Sequence, residues 1–360
     1  MGTKGHSFCV GDQVTVRAPQ EILATLDGNG TLDGLPFMPE MLDWCGKKFF
    51  VQRRVEKTCV ADHPMRRFPA NDVVILDGAR CDGSGHDGCK HGCRIYWKEA
   101  WLASVNPLSA TAPISRTAFE ALRARLRVKK DDRRYFCQST EMYNATEAFP
   151  GKQKPWKARI ILRELRAGEL SLMALAGFFV FWSWQRILRR GAGCDAWLHG
   201  RQTRTPRESL NLKPGELVRV KTRSQIVESL DQKGRNRGMA ICYEMTRCCG
   251  GEAEVRYRVD RIIDERTGVM RDMSDTVTLQ NVKQNRTLSE ECLCYDQLGD
   301  CPRGELMYWR EIWLERVNPS AANRETPPPP GRPSSASLPC AVRNHTEVEP
   351  RRVHDGHVRA

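Results

Sequence analysis

The side chains best placed to do chemistry in this sequence are thiols. Cys81, Cys89 and Cys93 are spaced Cys-x7-Cys-x3-Cys, with His86 and His91 among them and Cys45 and Cys59 upstream. A second set, Cys249 with Cys292, Cys294 and Cys301, lies later in the chain. Cys89 and Cys301 each stand eight positions before a tryptophan, Trp97 and Trp309. Each set offers four thiolates from a Cys-Gly step and a distant loop, and four thiolates at about 2.3 Å suit a tetrahedral structural zinc. The expected ligands are therefore Cys45, Cys81, Cys89 and Cys93 in one site and Cys249, Cys292, Cys294 and Cys301 in the other, with Cys59 and His86 as alternatives. Neither set contains the more specific Cys-x2-Cys pair, so buried or unligated thiols stand as the competing reading and disulfides as a third.

Carboxylates and indoles form the other candidates. Asp27, Glu40, Asp72 and Glu99 return as Asp231, Glu244, Asp275 and Glu311. Such pairs could serve acid–base work, but no nucleophile, base and orienting group recur together, which favours turns, caps and ion pairs. Trp97, Trp101, Trp309 and Trp313 could stack on bases or sugars, yet indoles this large more often dominate a core. The chain has no phosphate-binding Gly-rich loop, no dinucleotide fingerprint, no Gly-x-Ser-x-Gly and no His-Glu-x-x-His.

These residues recur because the chain repeats itself. Gly11, Val14, Val16, Ile22, Gly34, Cys45, Val51 and Val55 reappear as Gly215, Val218, Val220, Ile226, Gly238, Cys249, Val255 and Val259, a constant shift of 204. Both copies end alike, in Tyr96-Trp97-Lys98-Glu99-Ala100-Trp101-Leu102 and Tyr308-Trp309-Arg310-Glu311-Ile312-Trp313-Leu314. Alternation of apolar and polar residues predicts strands over 13–17, 48–55 and 73–76, with counterparts over 217–221, 252–259 and 276–279. Helical spacing behind Pro19 and a single turn behind Pro39 lie between the first two strands. Periodicity leaves the Tyr-Trp segment open between helix and strand. Short strands and Gly-rich turns predict an α+β fold of two small, SH3-like β-barrel modules, residues 8–107 and 209–319, joined by a helical linker over 108–208.

The linker is basic and helix-permissive over 118–130 and 157–166, and its run from Leu170 to Trp184 is the most apolar of the chain. That run, placed on an expected helix over 170–188, admits three readings: a buried or interdomain helix, an interfacial membrane helix with basic flanks, or a span, for which it is short of the roughly 20 residues needed. Residues 320–360, with Pro327 to Pro330, read as a disordered tail. The chain carries 57 Lys and Arg against 44 Asp and Glu, a formal charge of +13 that favours acidic partners. No apolar run over Met1 to Asp12 resembles a secretory signal, so a cytoplasmic protein with reduced cysteines is expected, with membrane association through Leu170 to Trp184 as the variant.

The segment Leu35-Pro36-Phe37-Met38-Pro39-Glu40-Met41 with Cys45-Gly46, the stretch from Cys89 to Trp101, and Tyr308 to Leu314 resemble a family of uncharacterised bacterial proteins with these elements in the same order. The resemblance implies a bacterial source and supplies no activity, cofactor or catalytic residue. The string Cys81-Asp82-Gly83-Ser84-Gly85-His86 also resembles the motif of the iron–sulfur proteins named for Cys-Asp-Gly-Ser-His, but Gly85 is inserted and their upstream Cys-x-Cys is missing. The leading expectation is a non-catalytic binding or scaffolding protein of two zinc-stabilised modules, with nucleic acid or another protein as partner. An enzyme or accessory subunit with a site between the modules, using Cys89, His86 or the shared carboxylates, is the alternative, and a peripheral membrane adaptor is another.

Overall fold

A computed structural model describes residues 8–105, 115–149, 198–284, 286–287 and 302–317, with isolated helical positions between 161 and 180. The protein is mixed α+β with far more sheet than helix. In the first module five antiparallel strands lie in the spatial order Arg94–Lys98, Val73–Arg80, Lys48–Arg54, Gln13–Val16, Leu102–Ser104. In the second the order is Tyr308–Arg310, Thr276–Gln284, Glu252–Arg258, Leu217–Val220, Leu314–Arg316, with Arg286–Thr287 added beside Thr276–Gln284. The registers match as well: Val14 faces Phe49 and Val218 faces Ala253, both partners displaced by the same 204 positions.

The sheets curl because the chain leaves no other solution. Strands Arg94–Lys98 and Leu102–Ser104 sit at opposite edges of the first sheet, yet only the 3-10 turn Glu99–Trp101 separates them. Three residues can bridge the two edges only if the sheet wraps round on itself. The same turn, Glu311–Trp313, closes the second module. This geometry settles the Tyr-Trp segment as strand, turn, strand, and it drives both tryptophans inward. Val14, Val16, Ile22, Trp97 and Trp101, and their counterparts Val218, Val220, Ile226, Trp309 and Trp313, are at most 1% exposed. Trp101 Nε1 donates to Thr25 Oγ1 at 3.1 Å and Trp313 Nε1 to Ser229 Oγ at 3.0 Å, again equivalent positions.

The helices that follow the first strands differ in their caps. Helix Arg223–Glu228 starts from Thr222, whose hydroxyl accepts from Gln225 N while Gln225 Oε1 accepts from Thr222 N at 2.9 Å, a reciprocal capping box. Helix Pro19–Leu23 has Ala18 at that position and keeps only the returning half, Ala18 N to Glu21 Oε2 at 3.0 Å. Ala18→Thr is therefore expected to stabilise the first module and Thr222→Ala to destabilise the second, each by about 1 kcal/mol in denaturant titrations. Opposite signs of equal size are the outcome to look for.

The start of the linker belongs to the first module. Helices Arg116–Arg125 and Gln138–Ala145 bury Leu122, Met142 and Ala145 in its core, and strand Glu147–Ala148 pairs with His63–Arg67. Both modules and the described residues between them belong to one compact unit, Met1–Val317. Most of 157–188 and all of 320–360 lie outside the described residues. Within the apolar run, Leu172, Met173, Phe179 and Val180 are helical and exposed, which departs from the expectation of a buried helix. Among the described residues no helix is long and apolar enough to cross a membrane.

Candidate functional site

The loop after strand Val73–Arg80 carries the thiols, and its shape follows from glycine. Gly83 has φ +71°, and a Cβ there would stand 2.0 Å from Cys89 O, so only glycine lets the loop fold back on itself. The reversal is held by His86 N and Gly88 N donating to Gly83 O, Cys89 N to His86 O, and Cys81 N to Cys93 O at 2.8 Å. As a result Cys81, Cys89 and Cys93 line one cavity of about 40 Å3, and Cys137 from the cap of helix Gln138–Ala145 lines it too. Ile263 and Arg303 of the second module complete the wall.

The same loop is the seam between the modules. Lys90 N donates to Arg261 O at 2.8 Å, Ile263 N to Cys89 Sγ at 3.3 Å and Tyr308 Oη to His91 O at 3.1 Å. From the other side Arg80 reaches Gly304 O at 2.8 Å. Arg303 is buried, pairs with Glu265 and with Glu305 at 3.0 Å, and donates to Ser139 Oγ at 3.0 Å. Gln138 finishes the cavity wall by acting as a strand partner, accepting from Tyr96 N and donating to Tyr96 O, each at 2.8 Å.

The cysteines here are neutral. Burial pushes Cys93 and Cys137 up to about 12 and raises Cys81 and Cys89 as well; the Cys93 thiol adds to the rise in Cys81, Cys89 and Cys137, and Glu305 and Glu265 add to that in Cys93. His91 Nδ1 lies 3.0 Å from Cys93 Sγ, a distance at which the protonated thiol donates to the ring. Ten described cysteines, Cys137 among them, are unbridged thiols. Among the described residues no three His, Cys, Asp or Glu side chains stand close enough together to hold an ion.

His86 is committed elsewhere. Its Nε2 faces Phe136 O at 3.1 Å, an oxygen that can only accept, and its Nδ1 lies 2.6 Å from Glu40 Oε1. With Glu40 ionised both ring nitrogens donate, an arrangement that favours the imidazolium. Burial alone would push His86 down and Glu40 up, but the hydrogen bond and charge of each partner outweigh it, so His86 is raised and Glu40 lowered. Glu40 Oε1 also accepts from Gly85 N at 3.2 Å and from the Cys81 thiol at 3.6 Å. Both ring nitrogens of His86, one of the expected alternative ligands, are thus engaged by Glu40 and the Phe136 carbonyl.

The other expected ligands are scattered. Cys45 lies 5% exposed in the hydrophobic core of the first module, where burial pushes its thiol up to about 12. Its place beside Cys81, Cys89 and Cys93 is taken by Cys137, which sequence spacing missed because it lies outside the repeat, 44 residues beyond Cys93. Cys59 sits on the hairpin strand Thr58–Val60, where its carbonyl accepts from Arg303 at 3.5 Å. Cys249 packs half-buried against the second core, while Cys292, Cys294 and Cys301 lie outside the described residues.

Four of the repeated carboxylates, Asp27, Asp231, Glu99 and Glu311, are engaged in turns and ion pairs. Asp27 Oδ1 accepts from Asn29 N and Thr31 N, and Asp231 Oδ1 from Lys233 N and Arg235 N, so both make the same turn. Glu99 pairs with Arg54 and accepts from Phe8 N; Glu311 pairs with Arg258 and accepts from Leu210, Asn211 and Leu212 N at 2.6–3.0 Å. Each carboxylate thus clips the incoming arm onto its own module. The side chain of Glu244 lies outside the described residues. No protein-family model, no curated protein and no solved structure matches the chain, so its two modules stand by themselves as the guide to what it does.

Proposed function

We propose that the chain is a non-catalytic binding protein in which two SH3-like modules are clamped into one body by a thiol-bearing loop that holds a structural zinc ion. The strand order, with a 3-10 turn between the last two strands of each module, supports the SH3-like reading. The observation that carries the proposal is the convergence of Cys81, Cys89, Cys93 and Cys137 on one cavity at the seam. Binding requires the four sulfurs to turn inward from their present positions, and the bound dication replaces the protons that burial now keeps on them. Catalysis through Cys89 or His86 fits less well, because the first is buried and hydrogen-bonded to the second module and the second has both nitrogens engaged.

Metal content of protein purified without added metal provides the test. About one zinc per chain is expected from this cavity, lost in Cys93→Ser and Cys137→Ser and retained in Cys45→Ser. A metal-free wild type, or equal loss in Cys45→Ser and Cys137→Ser, overturns the proposal.

A further inference from the structure

The second module reverses a charge balance that the first module keeps. Lys98 has a side chain 0% exposed, and its Nζ donates to Asp33 Oδ2 at 2.8 Å and to Asp72 Oδ1 at 3.0 Å. One buried cation there faces two carboxylates. At the equivalent positions the second module has Arg310, Arg237 and Asp275: Lys98 pairs with Val73 across the sheet as Arg310 does with Thr276, and Asp33 and Arg237 share a positive φ of 51° and 49°. Asp33 has become Arg237, so a single carboxylate now serves two cations.

A third cation joins them. Arg207 Nε lies 2.7 Å and Arg237 Nη1 2.9 Å from Asp275 Oδ2, and Asp275 has a side chain only 7% exposed. Arg310, itself 7% exposed, bonds only neutral acceptors: Ser274 O at 2.7 Å, Thr276 Oγ1 at 3.0 Å and Arg237 O at 3.1 Å. Its Nε has no partner among the described residues. Arg310 is buried while Arg207 and Arg237 are 61% and 33% exposed, so three guanidinium groups around one carboxylate leave two positive charges at the surface, a local field that attracts an anion. Arg207 and Arg237 open onto a pocket of about 700 Å3 whose other walls are Arg204, Thr203, Thr205 and Pro206.

We propose that this pocket binds a phosphate group. Arg204, Arg207 and Arg237 line the pocket and outweigh Asp275 by two charges, so a phosphate dianion there matches the balance, its tetrahedral oxygens accept from several guanidinium forks at once, and the Thr203 and Thr205 hydroxyls supply further donors. The phosphate could belong to a free phosphate or to a nucleic-acid backbone, and the chemistry of recognition is the same. The inference stands independently of the zinc centre, which uses none of these residues.

The test uses the full chain and titrates inorganic phosphate against chloride at matched ionic strength by calorimetry. Arg237→Asp recreates the first module's pattern, tolerates the same positive φ as Asp33, and removes surplus charge, so it is expected to fold. Phosphate affinity should fall at least ~10-fold in Arg237→Asp and several-fold in Arg204→Ala, an exposed position whose loss leaves the fold intact. A short single-stranded oligonucleotide that competes with phosphate, and whose binding weakens in the same variants, assigns a nucleic-acid backbone; phosphate binding without oligonucleotide binding assigns a free phosphate. Absence of phosphate binding, or equal affinity in wild type, Arg237→Asp and Arg204→Ala, overturns the proposal.

Discussion

Glu311→Ala is expected to lower the unfolding free energy by about 3–5 kcal/mol, because it strips three backbone donors and the half-buried Arg258 of one fully buried acceptor in a single step. The Glu311 side chain is 0% exposed. Its Oε2 accepts from Leu210 and Asn211 N, and its Oε1 from Leu212 N and from Arg258 Nη1 at 2.5 Å. Removing the carboxylate leaves Arg258 with Leu212 O as its remaining described acceptor there and frees the arm that leads into the first strand. The equivalent Glu99→Ala should cost less, since Glu99 is 12% exposed and accepts a single described backbone N–H, from Phe8. Guanidinium titrations at constant slope would measure both losses. A loss at Glu311 no larger than at Glu99 would contradict the role given to the three donors.

Breaking the pair between Glu40 and His86 carries a similar cost and a pH signature. Both side chains are 2% exposed, so Glu40→Gln leaves a buried imidazole without its counter-charge, a loss of about 3–5 kcal/mol where the pair is fully ionised. The raised His86 contributes stability that is complete below its ordinary value of 6.5 and is lost as pH rises through the folded value. The lowered Glu40 contributes stability present above its ordinary value of 4.5 and lost as pH falls through the folded value. Wild type should therefore be best supported by this pair between those two limits and decline on the alkaline side, with Asp87 adding to the rise of His86. In Glu40→Gln only the Phe136 carbonyl and Asp87 are left to oppose burial, so the alkaline decline should shrink. Melting temperatures over a pH series decide the matter, and parallel profiles for the two proteins would refute the ion pair.

Much of the fold could be read in one dimension. The constant shift between copies anticipated two similar modules, and the matching registers of Val14 with Phe49 and Val218 with Ala253 bear that out. Alternation placed the strands, and Pro19 and Pro39 marked the helix Pro19–Leu23 and the 3-10 turn Pro39–Trp44. These signals are local: a period of two, a fixed φ, a glycine that alone can turn. The burial of all four repeated tryptophans followed from size and recurrence.

The site was less legible, since it depends on contacts between residues far apart in sequence. Cys45 looked like a ligand because a glycine follows it, yet the curl of the sheet turns it into the core. Cys137 carries no such signal and reaches the cavity only because helix Gln138–Ala145 docks on the edge strand Arg94–Lys98 through Gln138. Likewise Asp33 and Arg237 are one pair among many unlike residues in the aligned copies until Lys98 and Arg310 are seen beside them. The sequence by itself determined that a small β module is built twice, because strand alternation and turn chemistry act between near neighbours. Which thiols meet, and where charge is left unbalanced, only the tertiary structure decided, because convergence and desolvation are properties of surfaces brought together by folding.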